Sequence, residues 1–358
     1  MVFSRKATKL YVVDPIEPEL HIVEEAGGIL RRGGLVAFPT ETVYGLGADA
    51  LNPRAVQGIF AAKGRPADNP LIAHIADRAD LGRLVSHVSP TAALLMERFW
   101  PGPLTVVLPR HPGVPDTVTA GLTTVAVRMP AHPVALELIR AAGVSVAAPS
   151  ANASGKPSPT TAAHVLADLD GRIDAILDGG PCGVGVESTV VDLSGPVPLL
   201  LRPGGVTVEE LRELLPHLEC DPALGSDSLR PKSPGMKYTH YTPEAEVIVL
   251  AGEDPATSRE MAGMVQRFQG EGKRVGVMVT DELIPYLEQC MCRPDFLGRL
   301  GSRKFLEEAA ARLFGLLREC DRHELDVVLA EGVPETGLGL AVMNRLRRAA
   351  GHRVVSAR

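Results

Sequence analysis

The sequence predicts an α/β protein of two domains: an open, twisted, mixed sheet with helices, then a smaller Rossmann-like α/β domain. Three observations carry this. The chain has 358 residues, more than a single hydrophobic core comfortably serves. Before about residue 215, strand-like runs and helix-period segments mix without strict alternation, as in a sheet with some antiparallel pairing. After Pro243 they alternate cleanly. Between the two lies Ser233–Pro243 (SPGMKYTHYTP), too polar and too broken by Pro234, Gly235 and Pro243 for a core element. The expected division is 1–215 for the first domain, 216–243 for a linker and 244–358 for the second.

Taken in order, Ile22, Val23, Ala26, Ile29 and Leu30 recur at helical spacing and stop at Gly33-Gly34, after which Leu35–Phe38 reads as a short buried strand. Further strand runs are Leu71–Ile75, Leu104–Leu108, Thr124–Arg128, Val144–Ala148, Ala175–Leu177, Ser188–Leu193 and Leu199–Arg202. Helices are expected near Ala55–Ala62, Thr91–Phe99, Pro133–Ala142, Ala162–Leu169 and Val208–Leu215. The second domain is expected to hold strands Val247–Leu250, Val275–Val279 and Val327–Ala330, separated by helices Ala256–Gln269 and Arg303–Glu319.

Composition narrows the class. Hydrophobic residues make up 45% and charged residues 22%, a globular balance. No run approaches the roughly 18 apolar residues of a membrane span, and the apolar run before Asp14 is too short for a signal-peptide core, so the expectation is a soluble, cytoplasmic protein. The five cysteines contain no C-x-x-C pair, so free thiols and no metal site are expected. A net charge of −6 argues against a protein that wraps nucleic acid by bulk electrostatics.

Chemistry-bearing residues gather in a few segments. No G-x-x-x-x-G-K-[ST] occurs, so a P-loop is excluded. Gly45–Ala50 fits G-x-G-x-x-[GA], yet it runs into Leu51-Asn52-Pro53 where a dinucleotide fingerprint needs a helix. Lys63 and Arg65 flank a glycine at a helix end, a fork that can grip phosphates and that, taken alone, reads equally as a surface pair. Ser150, Asn152, Ser154 and Ser158 lie in a Pro/Gly-rich loop, able to line a polyphosphate or to form an ordinary hydroxyl-rich turn. Arg128 and Arg202 end apolar strands and Ser188 opens one, at the rim where open α/β sheets bind ligands. His74, flanked by apolar residues, reads by itself as a satisfied core histidine. Lys237, Tyr238, His240 and Tyr241 give the linker a cation and aromatic groups fit to close over an anion, although taken alone the stretch reads first as an ordinary interdomain linker. In the second domain Glu331-Gly332 and Asn344-Arg345 stand out, without forming a catalytic cluster.

In that order, Pro39–Gly47 (PTETVYGLG), Lys63–Leu71 (KGRPADNPL), Pro149–Thr160 (PSANASGKPSPT) and the linker resemble the threonylcarbamoyl-AMP synthases of the long, two-domain kind, whose catalytic part is a YrdC-like domain. The resemblance runs from about Ile22 through the linker and continues more weakly to the C-terminal domain. It implies a nucleotidyltransferase that joins L-threonine, bicarbonate and ATP into L-threonylcarbamoyladenylate and pyrophosphate, the intermediate for threonylcarbamoyladenosine in tRNA. It implies a threonine pocket of Thr42, His74, Arg128, Ala148 and Ser188. It implies an ATP site of Arg65, Asn69, Thr124, Ser150, Asn152, Ser158, Arg202 and Tyr238. Lys63 and Arg65 suit the catalytic task of meeting the charge of the leaving pyrophosphate, and the small Ala148 with the hydroxyls of Thr42 and Ser188 suits selection of threonine. Mg²⁺ is expected to arrive on ATP, since no carboxylate cluster would cage it. The linker is expected to act as a lid; contact with tRNA or with the downstream transferase complex is left open. Two other readings stand beside this one. A concave basic sheet face could bind double-stranded RNA, and carbamoyl transfer in hydrogenase maturation uses a similar domain, although the C-x-x-C pairs expected there are absent.

Overall fold

The computed structural model describes residues 7–225 and 241–357. They fall into two compact units, one running to Ser154 and resuming at Ser158, the other made of Gly155–Pro157 and the residues from 241 onward.

The first unit holds strands β1 (Lys9–Val12), β2 (Val36–Phe38), β3 (Gly45–Asp49), β4 (Ile72–His74), β5 (Leu104–Pro109), β6 (Thr124–Arg128), β7 (Val146–Ala147), β8 (Ala175–Asp178), β9 (Thr189–Asp192), β10 (Leu199–Arg202) and β11 (Glu219–Cys220). They form one sheet in the order β1-β8-β2-β3-β7-β4-β6-β5-β9-β10-β11. β4 and β6 run parallel, as do β5 and β9, whereas β5 and β6 run antiparallel, giving the mixed sheet the sequence predicts.

Its helices are α1 (Leu20–Arg31), α2 (Pro53–Lys63), α3 (Pro90–Phe99), α4 (Asp116–Thr119), α5 (Pro133–Ala142), α6 (Ala162–Leu169) and α7 (Val208–Leu214). The local signals that start and stop them are explicit. In α2, the Asn52 side chain accepts from the backbone N–H of Arg54 and Ala55, Pro53 opens the helix, and Gly64 ends it in the left-handed conformation at φ 63°. Thr207 and Glu210 close a reciprocal capping box on α7. Apolar faces of α1 and α5 meet over the sheet, where Val23, Ala26, Leu30, Leu138, Ile139 and Ala142 bury against Val36, Phe38, Val146 and Leu177.

Some elements depart from expectation. Gly45–Asp49 is a strand, and its glycines serve packing: a Cβ on Gly47 would lie 2.8 Å from Val146 and 2.9 Å from the Phe38 ring. Residues 216–225, read from the sequence as the start of the linker, include β11, which pairs with β10. β1 was not foreseen because, as an edge strand, it leaves Leu10 and Val12 exposed and shows no buried alternation.

The second unit is a purely parallel sheet, in the order β14-β13-β15-β12-β16, formed by β12 (Glu246–Ala251), β13 (Val275–Thr280), β14 (Phe296–Gly301), β15 (Val327–Glu331) and β16 (Val354–Ser356). Helices α8 (Asp254–Gly270), α9 (Ile284–Gln289), α10 (Leu306–Arg322) and α11 (Gly339–Ala349) provide the crossovers. Met261, Val265 and Phe268 of α8 bury against Ile248, Val277 and Leu329. Arg303, expected to begin a helix, instead precedes α10 and joins Glu331 and Asp254 in ion pairs. Among the described residues, no helix is long and apolar enough to cross a membrane.

Candidate active site

Sheet register assembles the site. Across the neighbouring strands β4, β6, β5 and β9, His74 stands opposite Arg128 and Arg128 opposite Thr105. The Thr105 hydroxyl lies 2.7 Å from that of Ser188, the residue before β9. These four side chains form one polar row, and all are nearly fully buried. Two residues further along each strand the same face turns apolar, with Ile72, Ala126, Val107 and Val190 in one buried cluster with Leu201. Thr124, at the far end of β6, lies four residues from Arg128, about 13 Å along the strand. The register therefore separates Thr124 from the Arg128 end by an apolar floor.

Arg128 is 4% exposed. Its Nε donates to the Gly102 carbonyl (3.3 Å) and its Nη1 to the Thr42 hydroxyl (2.9 Å), which also lies 2.8 Å from the Thr40 hydroxyl. Nη2 donates no hydrogen bond among the described residues. His74 is buried, with Nδ1 3.2 Å from the Ile72 carbonyl. Burial first, and the nearby Arg128 charge second, push its pKa down to about 3, so the imidazole is neutral.

On the other side of Ser188, Arg202 closes a fork: Nε and Nη2 donate to the Ser188 carbonyl (3.1 and 2.9 Å) and Nη2 also to its hydroxyl (3.1 Å). The turn after β10 is pressed against this point. A Cβ on Gly204 would fall 2.2 Å from the Glu187 carbonyl oxygen and 2.4 Å from the Ser188 carbonyl carbon, so glycine is required. Ser158 donates to the Glu187 carboxylate at 2.7 Å.

The Lys63 ammonium does not point outward. It is 3% exposed and donates to the carbonyls of Ser150 and Asn152 (the latter at 2.6 Å), with Asn152 Oδ1 at 3.4 Å. Ser150 Oγ in turn donates to Asn152 Oδ1 at 2.5 Å. The lysine thus ties the end of α2 to the serine-rich loop. Arg65 is half-buried and turns back over its own loop, with Nη2 3.5 and 3.4 Å from the carbonyls of Asn69 and Pro70. Asn69 is 1% exposed, and its Oδ1 finds no partner among the described residues. Ala148 follows β7 and is buried, its amide donating to the Ile72 carbonyl at 2.9 Å.

Backbone hydrogen bonds knit three loops into the wall of the site. Tyr44 donates to Pro159, Leu46 to Pro149, and Ala151 back to Tyr44; Val184 and Gly185 donate to Glu41 and Thr42. Thr42, His74, Arg128 and Ser188 are therefore gathered at one end, with Arg202 beside them; Ala148 stands beside Ile72, at the level of the apolar floor; and Lys63, Ser150 and Asn152 form a second cluster. Lys237, Tyr238 and His240 of the expected lid lie outside the described residues, whereas Tyr241, also expected to close over an anion, is buried with its ring 5.1 Å from that of Phe314 in α10. Thr105, Glu41 and Glu187 were missed by sequence reasoning. Thr105 is hidden in an apolar run, whereas Glu41 and Glu187 flank Thr42 and Ser188 in the motifs already singled out.

With the geometry in hand, comparison with known proteins is direct. A family model described as "Telomere recombination" matches residues 28–204, and one described as "Threonylcarbamoyl-AMP synthase, C-terminal domain" matches residues 206–351. The Bacillus subtilis protein named threonylcarbamoyl-AMP synthase is 48% identical, over 96% of this chain and 97% of its own. The protein of the same name from Pyrococcus abyssi is 52% identical, over 92% and 94%. The crystal structure of P. abyssi Sua5 complexed with L-threonine superposes with a TM-score of 0.93 at 49% identity, covering 98% of this chain and all of that one. Both family models, two relatives matched nearly end to end and a common fold agree, so the chain belongs to the threonylcarbamoyl-AMP synthase family.

Proposed function

We infer that this protein is an L-threonylcarbamoyladenylate synthase, converting L-threonine, bicarbonate and ATP into L-threonylcarbamoyl-AMP, pyrophosphate and water. The observation that carries the reading is Arg128, a buried guanidinium with one edge fixed by Gly102 and Thr42 and with Nη2 ion-paired to Glu41 at 2.7 Å but donating no hydrogen bond. A planar fork held in this way suits the carboxylate of an amino acid. The hydroxyls of Thr42 and Ser188, the neutral His74 and the small Ala148 then meet the side chain. The apolar floor leads from this end toward Thr124, in the direction assigned to the nucleotide, with Arg65, Asn69, Ser150, Asn152, Ser158 and Arg202 as its other contacts.

In the reaction, threonine's amine takes up the carboxyl group of bicarbonate to give a carbamate. The carbamate oxygen attacks the α-phosphorus of ATP, and pyrophosphate departs. No covalent enzyme intermediate is needed, so the work of the protein is to align two anions and meet developing charge. Arg65 is assigned to the departing pyrophosphate. Lys63, whose ammonium is taken up by the Ser150–Asn152 loop, acts by holding that loop in place and adding positive charge behind it. Mg²⁺ is taken to enter on the ATP phosphates, which with water supply most of its oxygen ligands. The product is an activated carbamoyl group, and a transferase acting on tRNA is the class of enzyme that must consume it.

Pyrophosphate release by the purified protein, with ATP and Mg²⁺, tests the reading. Release is expected only when both L-threonine and bicarbonate are present, with L-serine a poor substitute. Release independent of threonine, or none under the full set, overturns it.

A further inference from the structure

One acidic side chain in this site has no role in the assignments above. Both carboxylate oxygens of Glu41 are buried, and neither accepts a hydrogen bond from a described residue. Oε1 lies 2.7 Å from Arg128 Nη2, close enough for an ion pair but out of line for a hydrogen bond. A buried arginine and carboxylate ordinarily align in parallel N–H···O bonds, and leaving those groups unmade costs stability. Here the arginine side chain and the glutamate backbone are both held. Arg128 is fixed through Nε and Nη1, and the Glu41 backbone accepts from Val184 N–H at 2.8 Å, with Thr40 Oγ1 accepting from the amides of Thr42 and Val43.

Besides Arg128, the titratable groups His132 and Cys182 feel the Glu41 charge. Burial lowers the pKa of His132, and burial pushes the Cys182 thiol up to about 12. A positive and a negative group thus stand side by side in a buried site, each with hydrogen-bonding capacity unspent. That arrangement is complementary to a zwitterion, whose ammonium and carboxylate are held at a similarly short separation.

We propose that Glu41 receives the α-ammonium of L-threonine while Arg128 Nη2 takes its carboxylate, and that Glu41 then removes one ammonium proton so that the amine can attack bicarbonate. This rests on the reading of the site given under the proposed function. The step balances. The N–H bond to the first proton breaks and Glu41 becomes a carboxylic acid; the amine nitrogen bonds to the bicarbonate carbon; the C–OH bond breaks, and the hydroxyl leaves as water with the second N–H proton. The nitrogen keeps its third hydrogen in the carbamate, and the acid on Glu41 returns its proton to solvent. A ligand with the same carboxylate and hydroxyl but no ammonium leaves the Glu41 charge uncompensated and is rejected.

The test measures binding of L-threonine and of 3-hydroxybutanoate, its des-amino analogue, by isothermal titration to the full-length protein, its Glu41→Gln and its Glu41→Asp variants, together with turnover. Wild type is expected to prefer threonine by about tenfold or more. Glu41→Gln should bring the two affinities close to equal and lower kcat by on the order of a hundredfold, and Glu41→Asp should retain much of the preference. If Glu41 serves only to orient Arg128, both variants weaken the two ligands alike, the affinity ratio stays at its wild-type value, and the proposal fails. Wild type that does not bind threonine at all overturns the functional reading as well, so the two failures are told apart by the wild-type titration.

Discussion

His74 ends a three-residue strand with its ring edge-on to Phe38, centroids 6.4 Å apart, and beside the Arg128 charge. Sequence context gave only a histidine among apolar residues, which usually means a satisfied core group; its place opposite Arg128 comes from the β4–β6 register. Burial and that charge lower its pKa from 6.5 to about 3. The unfolded chain therefore binds a proton that the folded site refuses. The stability from the neutral ring is complete above about pH 6.5 and is lost as pH falls toward 3, by at most about 1.4 kcal/mol per pH unit. Thermal melting from about pH 7 to pH 5 should show a smaller decline for His74→Gln than for wild type. Equal declines would mean that the ring is protonated in the folded state or that other groups dominate, His132 among them, since burial lowers its pKa in the same direction.

Helix α2 illustrates how an element turns a motif into a site. Its end was legible from Gly64, but its start was not: Asn52-Pro53, read from the sequence as a break where a helix was needed, is the cap and first residue of the helix. What the sequence left open was the direction of Lys63, which reads equally as a phosphate grip or a surface cation. The structure turns its ammonium inward to the oxygens of Ser150 and Asn152. Lys63→Met keeps the length and removes the donors, so buried oxygens in the loop lose their partner. The expected cost is about 1–3 kcal/mol, with ATP-dependent turnover falling by more than tenfold while L-threonine affinity changes little. Urea unfolding and threonine titration measure the two effects. A variant that loses threonine binding as severely as turnover would place the lysine in the wrong half of the site.

At the scale of the whole chain, every predicted site residue that the structure describes belongs to the first unit, whereas the second carries its own core and its own buried ion network. There Glu331 is 2% exposed and its pKa is raised, with burial the main cause. It accepts from the Thr280 amide (2.6 Å), from the Thr280 hydroxyl (2.9 Å) and from Arg303, which also pairs with Asp254 at 2.7 Å. Glu331→Gln should destabilise this unit by about 3 kcal/mol and speed hydrogen exchange in β13 and β15, with threonine affinity within about twofold of wild type. A large loss of threonine affinity would mean that the network reaches the site. The sequence by itself determined the fold class, most of the strands and helices, and the segments that carry the chemistry, because apolar period, caps and glycine or proline punctuation act over a few residues. Only the tertiary structure decided which side chains meet. Thr105 faces Ser188 across 83 positions of chain and Thr42 meets Arg128 across 86, and Glu41 is left without a hydrogen bond beside that arginine. Such pairings follow from strand register and from desolvation of the whole site, which no local pattern encodes.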